Sequence, residues 1–383
     1  MTIEHKHLGD LQLFTGTPQH GNFSRMAELV PTRAMPASAS PRQWPSGAPL
    51  TLPDTFGFNG AHHSVEALLT ETDTAALLVL KDGEIRFEGY WLTGGPEVPW
   101  LSMSVAKSFV SALVGIALDE GHIPSIDTPV SDIIPVDSGS AYDGVSVRDV
   151  LHMSSGARWN EDYSDPNSEV HRLGRALSPG GSIDAFVASM EREHEPGTIS
   201  HYNSADTQVL GALVSRATGR TLADYMTEKL VEPLGMTSPG HWLIDSSGTE
   251  LSFNGLNLTA RDYARLGELY RADGVVNGVR VLPEKWVRDS VTVAAPHLEA
   301  GRVLVAGHPV GVGYGYQWWI PEGDRGEFMA IGVYNQFVYV DPAASTTIVK
   351  LSANRRYGTS PGESVSREMQ TIEFLRALAR TNG

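Results

Sequence analysis

Two neighbouring stretches early in the chain show the pattern that is typical of β-strands. Residues 75–80 form a short apolar run, and Ile85 and Phe87 then place apolar side chains on alternate positions. The pair Asp82-Gly83 between the two stretches is typical of a tight turn. The pattern therefore predicts an antiparallel β-hairpin.

The middle of the chain changes to a helical pattern. Between Ser104 and Glu120 the apolar residues leave little polar surface, which predicts a buried helix that ends at Gly121. Thr259 is a favourable N-cap for a later helix. Helical patterns are also found over residues 147–153, 182–192, 204–218, 222–234, 259–272 and 363–380.

Strand patterns return in the last third of the chain. They cover residues 327–334, 337–340 and 346–351. Together with the hairpin they predict an α+β fold around a five-stranded antiparallel sheet. We expect residues 70–100 and 255–383 to form one discontinuous subdomain around this sheet. Residues 101–254 would then be a helical subdomain inserted between its two parts.

The first 69 residues have a different composition. They are rich in Pro, Gly, Ser and Thr, most clearly between residues 31 and 53. Such residues favour turns and irregular chain over long helices or strands. We therefore predict that residues 1–69 form an extended segment with little regular structure that wraps around the globular part.

The composition excludes several classes of protein. The chain has 383 residues, of which 41% are hydrophobic, so it can bury a sizeable core. Its net charge of −16 argues against a general basic surface for nucleic acid or an anionic membrane. It contains no cysteine, which excludes disulfides and thiol catalysis. No apolar run approaches ~18 residues, and no signal-peptide core is found near Met1, so a soluble cytoplasmic protein is expected.

The pair Ser104 and Lys107 is the strongest candidate for chemistry. Residues three apart share a helix face, and Ser104 would lie in the first turn, where free N–H groups favour a developing oxyanion. Lys107 would lie in a nearly apolar helix, where burial lowers a lysine pKa and allows the neutral amine to accept the serine proton. The alternative is a capping serine beside a lysine that extends to solvent, and such a short motif alone favours it. This is, however, the only Ser-x-x-Lys pair in the chain.

Two further features could complete such a site. Tyr202 precedes an apolar helical pattern, and its phenol could relay protons if a nearby ammonium lowered its pKa. Gly332 lies in a predicted strand and would allow close approach of a ligand, with the Val333 N–H as an oxyanion donor. Each feature taken alone is better explained by ordinary packing.

Other catalytic motifs have little support. Residues 358–362 match Gly-x-Ser-x-Gly, but that motif needs a strand leading directly into the turn and a histidine later in the chain. Residues 354–357 intervene, and no histidine follows His308. Neither a zinc-hydrolase nor a nucleotide-binding motif is found. No metal or cofactor is therefore expected.

Aromatic residues cluster at two places where a pocket wall would be useful. Trp159 and Tyr163 lie near the polar loop of residues 160–168, and a second cluster precedes the last strands. The alternative for each is core packing. The second cluster contains Tyr314, Tyr316, Trp318 and Trp319.

Three of these motifs occur in the order found in a known superfamily. Residues 101–108, Tyr202 and residues 314–319 resemble the serine β-lactamase and penicillin-recognising superfamily. Within it, the chain is more similar to the 6-aminohexanoate-dimer hydrolases and the β-lactamase-like carboxylesterases than to true β-lactamases. Residues 160–170 are similar to the corresponding run of the dimer hydrolases. The resemblance covers roughly residues 70–380.

The resemblance implies an antiparallel sheet flanked by helices, an all-helical subdomain and a cleft between them. It implies that Ser104 is the nucleophile, Lys107 its base and Tyr202 the proton relay. The backbone N–H groups of Ser104 and Val333 would form the oxyanion hole. Tyr163 would face the substrate, and we add Trp159, Trp319 and Gly332 as candidate substrate contacts.

Two departures from the superfamily pattern concern specificity. Ser204 stands where the family usually has an asparagine two residues after the tyrosine. Residues Ala330-Ile331-Gly332 replace the usual Lys-Thr-Gly or His-x-Gly, so the cation that would contact a β-lactam carboxylate is missing.

These observations predict a serine hydrolase that acts through an acyl-enzyme on Ser104. Small carboxylic esters, or short linear amides such as 6-aminohexanoate oligomers, are the expected substrates. A β-lactamase or D-amino-acid peptidase of the same superfamily stays open, as does a catalytically silent ligand-binding protein. A small molecule, without nucleic acid or membrane, is the expected partner, and a homodimer stays open.

Overall fold

The computed structural model of the chain describes residues 6, 8–178 and 180–381. Residues 1–5 and 7 of the predicted N-terminal segment therefore lie outside the described residues. The helices are α1 His20–Phe23, α2 Met26–Leu29, α3 Val65–Glu71, α4 Ala106–Asp119, α5 Val147–Leu151, α6 Glu169–Ala176, α7 Ile183–Ala188, α8 Ser204–Thr218, α9 Leu222–Met226, α10 Glu232–Leu234, α11 Ala260–Arg271, α12 Glu284–Ser290 and α13 Pro361–Ala379.

The strands are mostly short and antiparallel. They are β1 Thr32–Met35, β2 Thr55–Phe58, β3 Ala61–Ser64, β4 Thr74–Lys81, β5 Glu84–Tyr90, β6 Trp100–Leu101, β7 Gly240–Leu243, β8 Leu256–Leu258, β9 Val275–Val276, β10 Val279–Arg280, β11 Leu304–Val305, β12 His308–Pro309, β13 Val312–Tyr314, β14 Trp319–Pro321, β15 Phe328–Gly332, β16 Gln336–Asp341 and β17 Thr346–Ser352.

The main sheet has seven antiparallel strands within the described ranges, in the order β13-β14-β15-β16-β17-β4-β5. The predicted hairpin and the three predicted C-terminal strands are confirmed. The prediction of five strands is wrong, because β13 and β14 extend the sheet beyond β15. Each of them is only three residues long, and Gln317 between them adopts a left-handed φ of +63°. The alternation of apolar and polar residues in β13 and β14 is therefore too short to predict strands next to the aromatic cluster.

Helices cover both faces of the main sheet. Successive side chains of a strand point to opposite faces, so Leu77 and Val79 pack in one core cluster while Leu78 and Leu80 pack in another. The first cluster includes residues of α13, and the second includes residues of α4 and α11. This arrangement places the end of β15 against the turn that precedes α4.

The helices predicted from the sequence are found in the structure, although the one predicted over residues 182–192 ends at Ala188, and α6 and α12 were not predicted. Residues 106–117 of α4 are all buried, and α4 packs against α8. The side chain of Asn203 caps α8 by accepting a hydrogen bond from the Ala205 N–H, and Thr259 caps α11 as predicted. None of the helices within the described residues is both long and apolar enough for a transmembrane span.

The N-terminal segment contains more regular structure than its composition predicts. It includes α1 to α3 and β1 to β3, so the expectation of little regular structure is wrong for these stretches. Strand β1 pairs with the distant strand β7, and β2 and β3 form a hairpin. A short strand that pairs with residues more than 200 positions away leaves little local signal in the sequence.

Candidate active site

Ser104 lies at the start of the most deeply buried helix. Residues Met103–Val105 form a 3₁₀ turn that continues directly into α4. Met103, which precedes the serine, has a φ of +47°, a backbone conformation that is uncommon outside glycine. Strained backbone of this kind is frequent at functional sites. The turn places Ser104 in the walls of two adjoining cavities.

Lys107 contacts Ser104 directly. Its Nζ atom lies 2.8 Å from Oγ of Ser104, and it also donates to Oγ of Ser204 at 3.1 Å and to the carbonyl of Phe253 at 3.0 Å. Burial lowers the pKa of Lys107 to about 7, while the charge of Glu161 acts in the opposite direction. Much of the amine is therefore neutral near pH 7 and can accept the proton of Ser104.

Tyr202 lies close to Lys107 and shares the wall of one of the two cavities with Ser104. Its ring is 5.1 Å from Nζ of Lys107 and stacks on the ring of Trp319. The expectation that an ammonium lowers the Tyr202 pKa is wrong. Burial raises this pKa well above its ordinary value, the charge of Glu161 raises it further, and hydrogen bonding with Ser104 acts in the opposite direction. The phenol is therefore protonated at neutral pH and is suited to donate a proton.

Glu161 is linked to Ser104 and Lys107 through Ser204, and it was not identified as a site residue from the sequence. It is buried, and its Oε1 accepts hydrogen bonds from Ser204 Oγ at 2.7 Å and from Tyr163 Oη at 2.6 Å. Its Oε2 accepts from Nε1 of Trp159. Because Lys107 donates to Ser204, a continuous path of hydrogen bonds runs from Ser104 to Glu161. The one available signal was its place in the run 160–170 that resembles the dimer hydrolases.

Gly332 explains how β15 comes close to Ser104. A β-carbon at this position would lie 2.7 Å from the Ser102 carbonyl oxygen and 3.0 Å from the Ser104 nitrogen. Any side chain would push β15 away from the turn that carries Ser104. The glycine therefore allows β15, and Val333 after it, to lie close to Ser104, and both Ser104 and Val333 line the two cavities.

Two cavities share Ser104, Tyr163 and Val333 in their walls. The segment-side cavity has a volume of about 630 Å³ and is closed by N-terminal residues 8–10 and 12–15. The sheet-side cavity has a volume of about 560 Å³ and lies along β14, β15 and α13. The composition of the N-terminal segment did not predict that it forms a wall of the site. It does so because Phe14 packs against Tyr163, with ring centroids 4.5 Å apart.

The candidate substrate contacts divide into two groups. Tyr163 lines both cavities, and Trp319 lines the sheet-side cavity. Trp159 is 2% exposed and lines neither cavity, so it is placed to hold Glu161 rather than to contact a substrate. Gly332 also lies outside both walls and acts through its close approach to Ser104.

The cations near the site are unevenly distributed. Ala330 is buried and carries no charge at the position where the superfamily has a lysine or histidine. Arg158 and Arg172 both form ion pairs with Glu169 on the protein surface. Arg175 is the arginine that lines the segment-side cavity. No lysine or arginine lines the sheet-side cavity within the described part of the chain.

Comparison with known proteins agrees with this geometry. The β-lactamase family model matches residues 62–370. The chain belongs to the β-lactamase family. This β-lactamase-family protein is 33% identical over 342 residues to the 6-aminohexanoate-dimer hydrolase of Paenarthrobacter ureafaciens. The aligned region covers 86% of this chain and 84% of the relative. The family membership supports a hydrolase, and the predicted fold class is confirmed.

Two solved structures share the architecture of this β-lactamase-family protein. A Bacillus anthracis protein, provisionally named a 6-aminohexanoate-dimer hydrolase, superposes with a TM-score of 0.81 at 23% identity, over 94% of this chain and 93% of that one. EstCE1, described as a hydrolase with promiscuous acyltransferase activity, superposes with a TM-score of 0.61 at 15% identity, over 80% of this chain and 99% of that one. At these identities the likeness concerns the fold alone.

Proposed function

We propose that this β-lactamase-family protein is a serine hydrolase that acts through an acyl-enzyme on Ser104. The observation that carries the proposal is the 2.8 Å hydrogen bond between Lys107 and Ser104. It joins a buried lysine of lowered pKa to a serine that lines two cavities. A capping serine beside an exposed lysine would have neither property.

Acylation follows from the positions of the three side chains. Lys107 takes the hydroxyl proton of Ser104, and Oγ forms a bond to the substrate carbonyl carbon. The negative charge on the carbonyl oxygen is stabilised by the N–H groups of Ser104 and Val333. The bond to the leaving oxygen or nitrogen then breaks. Tyr202 gives this atom a proton and recovers one from the Lys107 ammonium.

Deacylation reverses these proton transfers with water as the nucleophile. Tyr202 takes a proton from the water as it passes its own proton to the neutral Lys107 amine, and the hydroxide oxygen bonds to the acyl carbon. The bond between that carbon and Oγ of Ser104 breaks, and Oγ takes back the proton. The carboxylic acid product leaves, and Ser104, Lys107 and Tyr202 return to their starting protonation states.

The proposed substrates are small carboxylic esters and short linear amides. The walls of the sheet-side cavity are mainly apolar, which suits a chain of methylene groups or a small ring. The name of the Paenarthrobacter ureafaciens relative supports a linear amide. An ester has the better leaving group, so we expect esters to react faster than the corresponding amides.

A fluorophosphonate probe tests the proposal. The unmodified protein should be labelled at Ser104 with one probe per chain, and Ser104→Ala should be unlabelled and inactive while retaining its melting temperature. Ser108→Ala is the matched control, because Ser108 lies on the same helix and donates to the carbonyl of Gln317. Absence of labelling of the unmodified protein would instead favour a silent ligand-binding protein.

A further inference from the structure

Glu368 is a carboxyl group in the wall of the sheet-side cavity that the mechanism above does not use. It lies on α13, and the Tyr357 hydroxyl donates to its Oε1 at 2.6 Å. Its neighbours in the wall are mainly apolar and include Val310, Val312, Ile331, Met369 and Ile372. A carboxyl group in such surroundings needs a partner of opposite charge or a hydrogen-bond donor.

The protein supplies no cation to Glu368 within the described residues. Arg367 precedes it on α13, but forms ion pairs with Glu71 and Glu363. The sheet-side cavity is lined by one basic side chain, that of His308. It is also lined by two further carboxyl groups, Glu161, which accepts from Ser204 and Tyr163, and Asp162, which accepts from Ser164. Burial raises the pKa of Glu368 to about 7. This shift is expected of a carboxyl group that lacks a counter-charge, and a bound ammonium would reverse it.

Tyr202 indicates which part of the substrate enters this cavity. It lines the sheet-side cavity and not the segment-side cavity. The group that protonates a leaving atom must lie within hydrogen-bond reach of that atom. The leaving group therefore occupies the sheet-side cavity, together with Glu368, and the acyl group occupies the segment-side cavity.

We propose that Glu368 is a specificity-determining residue that selects leaving groups with an ammonium end and disfavours those with a carboxylate end. The inference rests on the proposed hydrolase function and narrows its substrate class to esters of amino alcohols and amides of diamines. Two observations favour an ammonium over a carboxylate on the leaving group. Ala330 stands where the superfamily has a cation that would bind a carboxylate, and Glu368 places an acidic side chain in the cavity wall. The aminohexanoate dimer has a carboxylate on its leaving group and should therefore be a poorer substrate.

Three esters of one acid and similar length test this proposal. Aminopentyl, hexyl and carboxypentyl butyrate differ in the end of the leaving group, which is cationic, neutral or anionic. Release of butyrate, measured by chromatography against enzyme-free blanks, gives kcat/KM for each ester. The aminopentyl ester should exceed the carboxypentyl ester by about tenfold or more, as expected for a partly desolvated charge contact.

Two variants assign this preference to one side chain. Glu368→Gln keeps an acceptor for Tyr357 and should bring the ratio of aminopentyl to hexyl ester close to one. Glu363→Gln removes the same charge from α13 outside the cavity and should retain the ratio of the unmodified protein. Equal kcat/KM for the three esters in the unmodified protein, or a ratio unaffected by Glu368→Gln, would overturn the inference while leaving hydrolysis intact. Failure of the hydrolase proposal would instead abolish turnover of all three esters.

Discussion

The hydroxyl of Ser204 donates a 2.7 Å hydrogen bond to Glu161 while it accepts one from Lys107 at 3.1 Å. A serine can do both at once, because a hydroxyl is donor and acceptor. The asparagine usual at this position in the superfamily offers separate donor and acceptor atoms instead. In this protein, Ser204 therefore links Glu161 to the Lys107 amine through two hydrogen bonds.

Replacing Ser204 with alanine should reduce kcat/KM by about tenfold or more, because the Lys107 amine loses a partner that fixes its position. Steady-state ester hydrolysis measures the effect. Ser189→Ala is the control, since that hydroxyl donates to the Phe186 carbonyl away from both cavities. Retention of more than half of the activity in Ser204→Ala would show that the contact is dispensable.

The pH dependence of the reaction should report on Lys107. Its pKa is lowered to about 7, and the neutral amine is the active form, so kcat/KM should fall tenfold per unit as the pH decreases below about 7. The pKa of Tyr202 is raised well above its ordinary value, so no loss from this residue is expected on the alkaline side up to about pH 9. A rate profile with p-nitrophenyl butyrate would measure the midpoint.

Glu161→Gln should move that midpoint to lower pH. The charge of Glu161 raises the Lys107 pKa, and glutamine removes the charge while keeping an acceptor for Ser204. Burial raises the pKa of Glu368 to about 7 as well, so this carboxyl group could also produce the acidic limb. A second pH profile, measured on Glu368→Gln, separates the two groups. If the acidic limb disappeared in Glu368→Gln, or stayed in place in Glu161→Gln, the assignment to Lys107 would be wrong.

The contact between Lys107 and Ser104 could be predicted because the sequence context of the lysine is informative. Lys107 lies between apolar residues at helical spacing and three residues after a serine. Lys350 shows that burial alone is not sufficient. It is fully buried in β17, its pKa is also lowered to about 7 by burial, and it donates to Thr72 Oγ1 at 3.0 Å and to Ser352 Oγ. Both lysines contact a serine hydroxyl, and neither lysine lines the two cavities. Ser104 beside Lys107 lines both cavities whereas Ser352 beside Lys350 lines neither, and this is what distinguishes Lys107.

The parts of the site that were missed depend on contacts distant in sequence. Glu161 acts through Ser204, which is 43 positions away. The N-terminal wall depends on Phe14, whose backbone N–H donates to Oη of Tyr334 across 320 positions. Hydrophobic periodicity in a single sequence does not indicate which distant residues are in contact. It does indicate the helices and the central strands, because their patterns repeat over a few neighbouring residues.

Tyr202→Phe separates a proton relay from a packing role. The substitution keeps the ring that stacks on Trp319 and removes only the hydroxyl. If the phenol protonates the leaving atom, kcat should fall by ~10²-fold or more. Tyr314→Phe is a matched control, because Tyr314 is buried with its ring centroid 6.1 Å from that of Tyr202 and lines neither cavity. A loss below threefold in Tyr202→Phe would return this residue to a packing role.

Substrate class is expected to follow from the charge of the cleft. A β-lactam places a carboxylate beside the scissile bond, and Ala330 offers it neither charge nor a side-chain hydrogen bond. An unpaired carboxylate in a partly desolvated cleft lowers kcat/KM by ~10²- to 10³-fold. We therefore expect kcat/KM for p-nitrophenyl butyrate to exceed that for nitrocefin by at least roughly a hundredfold.

Arginines elsewhere in the site could reverse that expectation, and they can be tested separately. Arg158 and Arg172 are held by Glu169, so a compensating contact would have to come from Arg175, which lines the segment-side cavity. Comparable kcat/KM values for the two substrates would contradict the prediction. Arg175→Gln would then identify the source: loss of nitrocefin turnover alone would mean that the β-lactam carboxylate binds beside the N-terminal segment rather than beside β15.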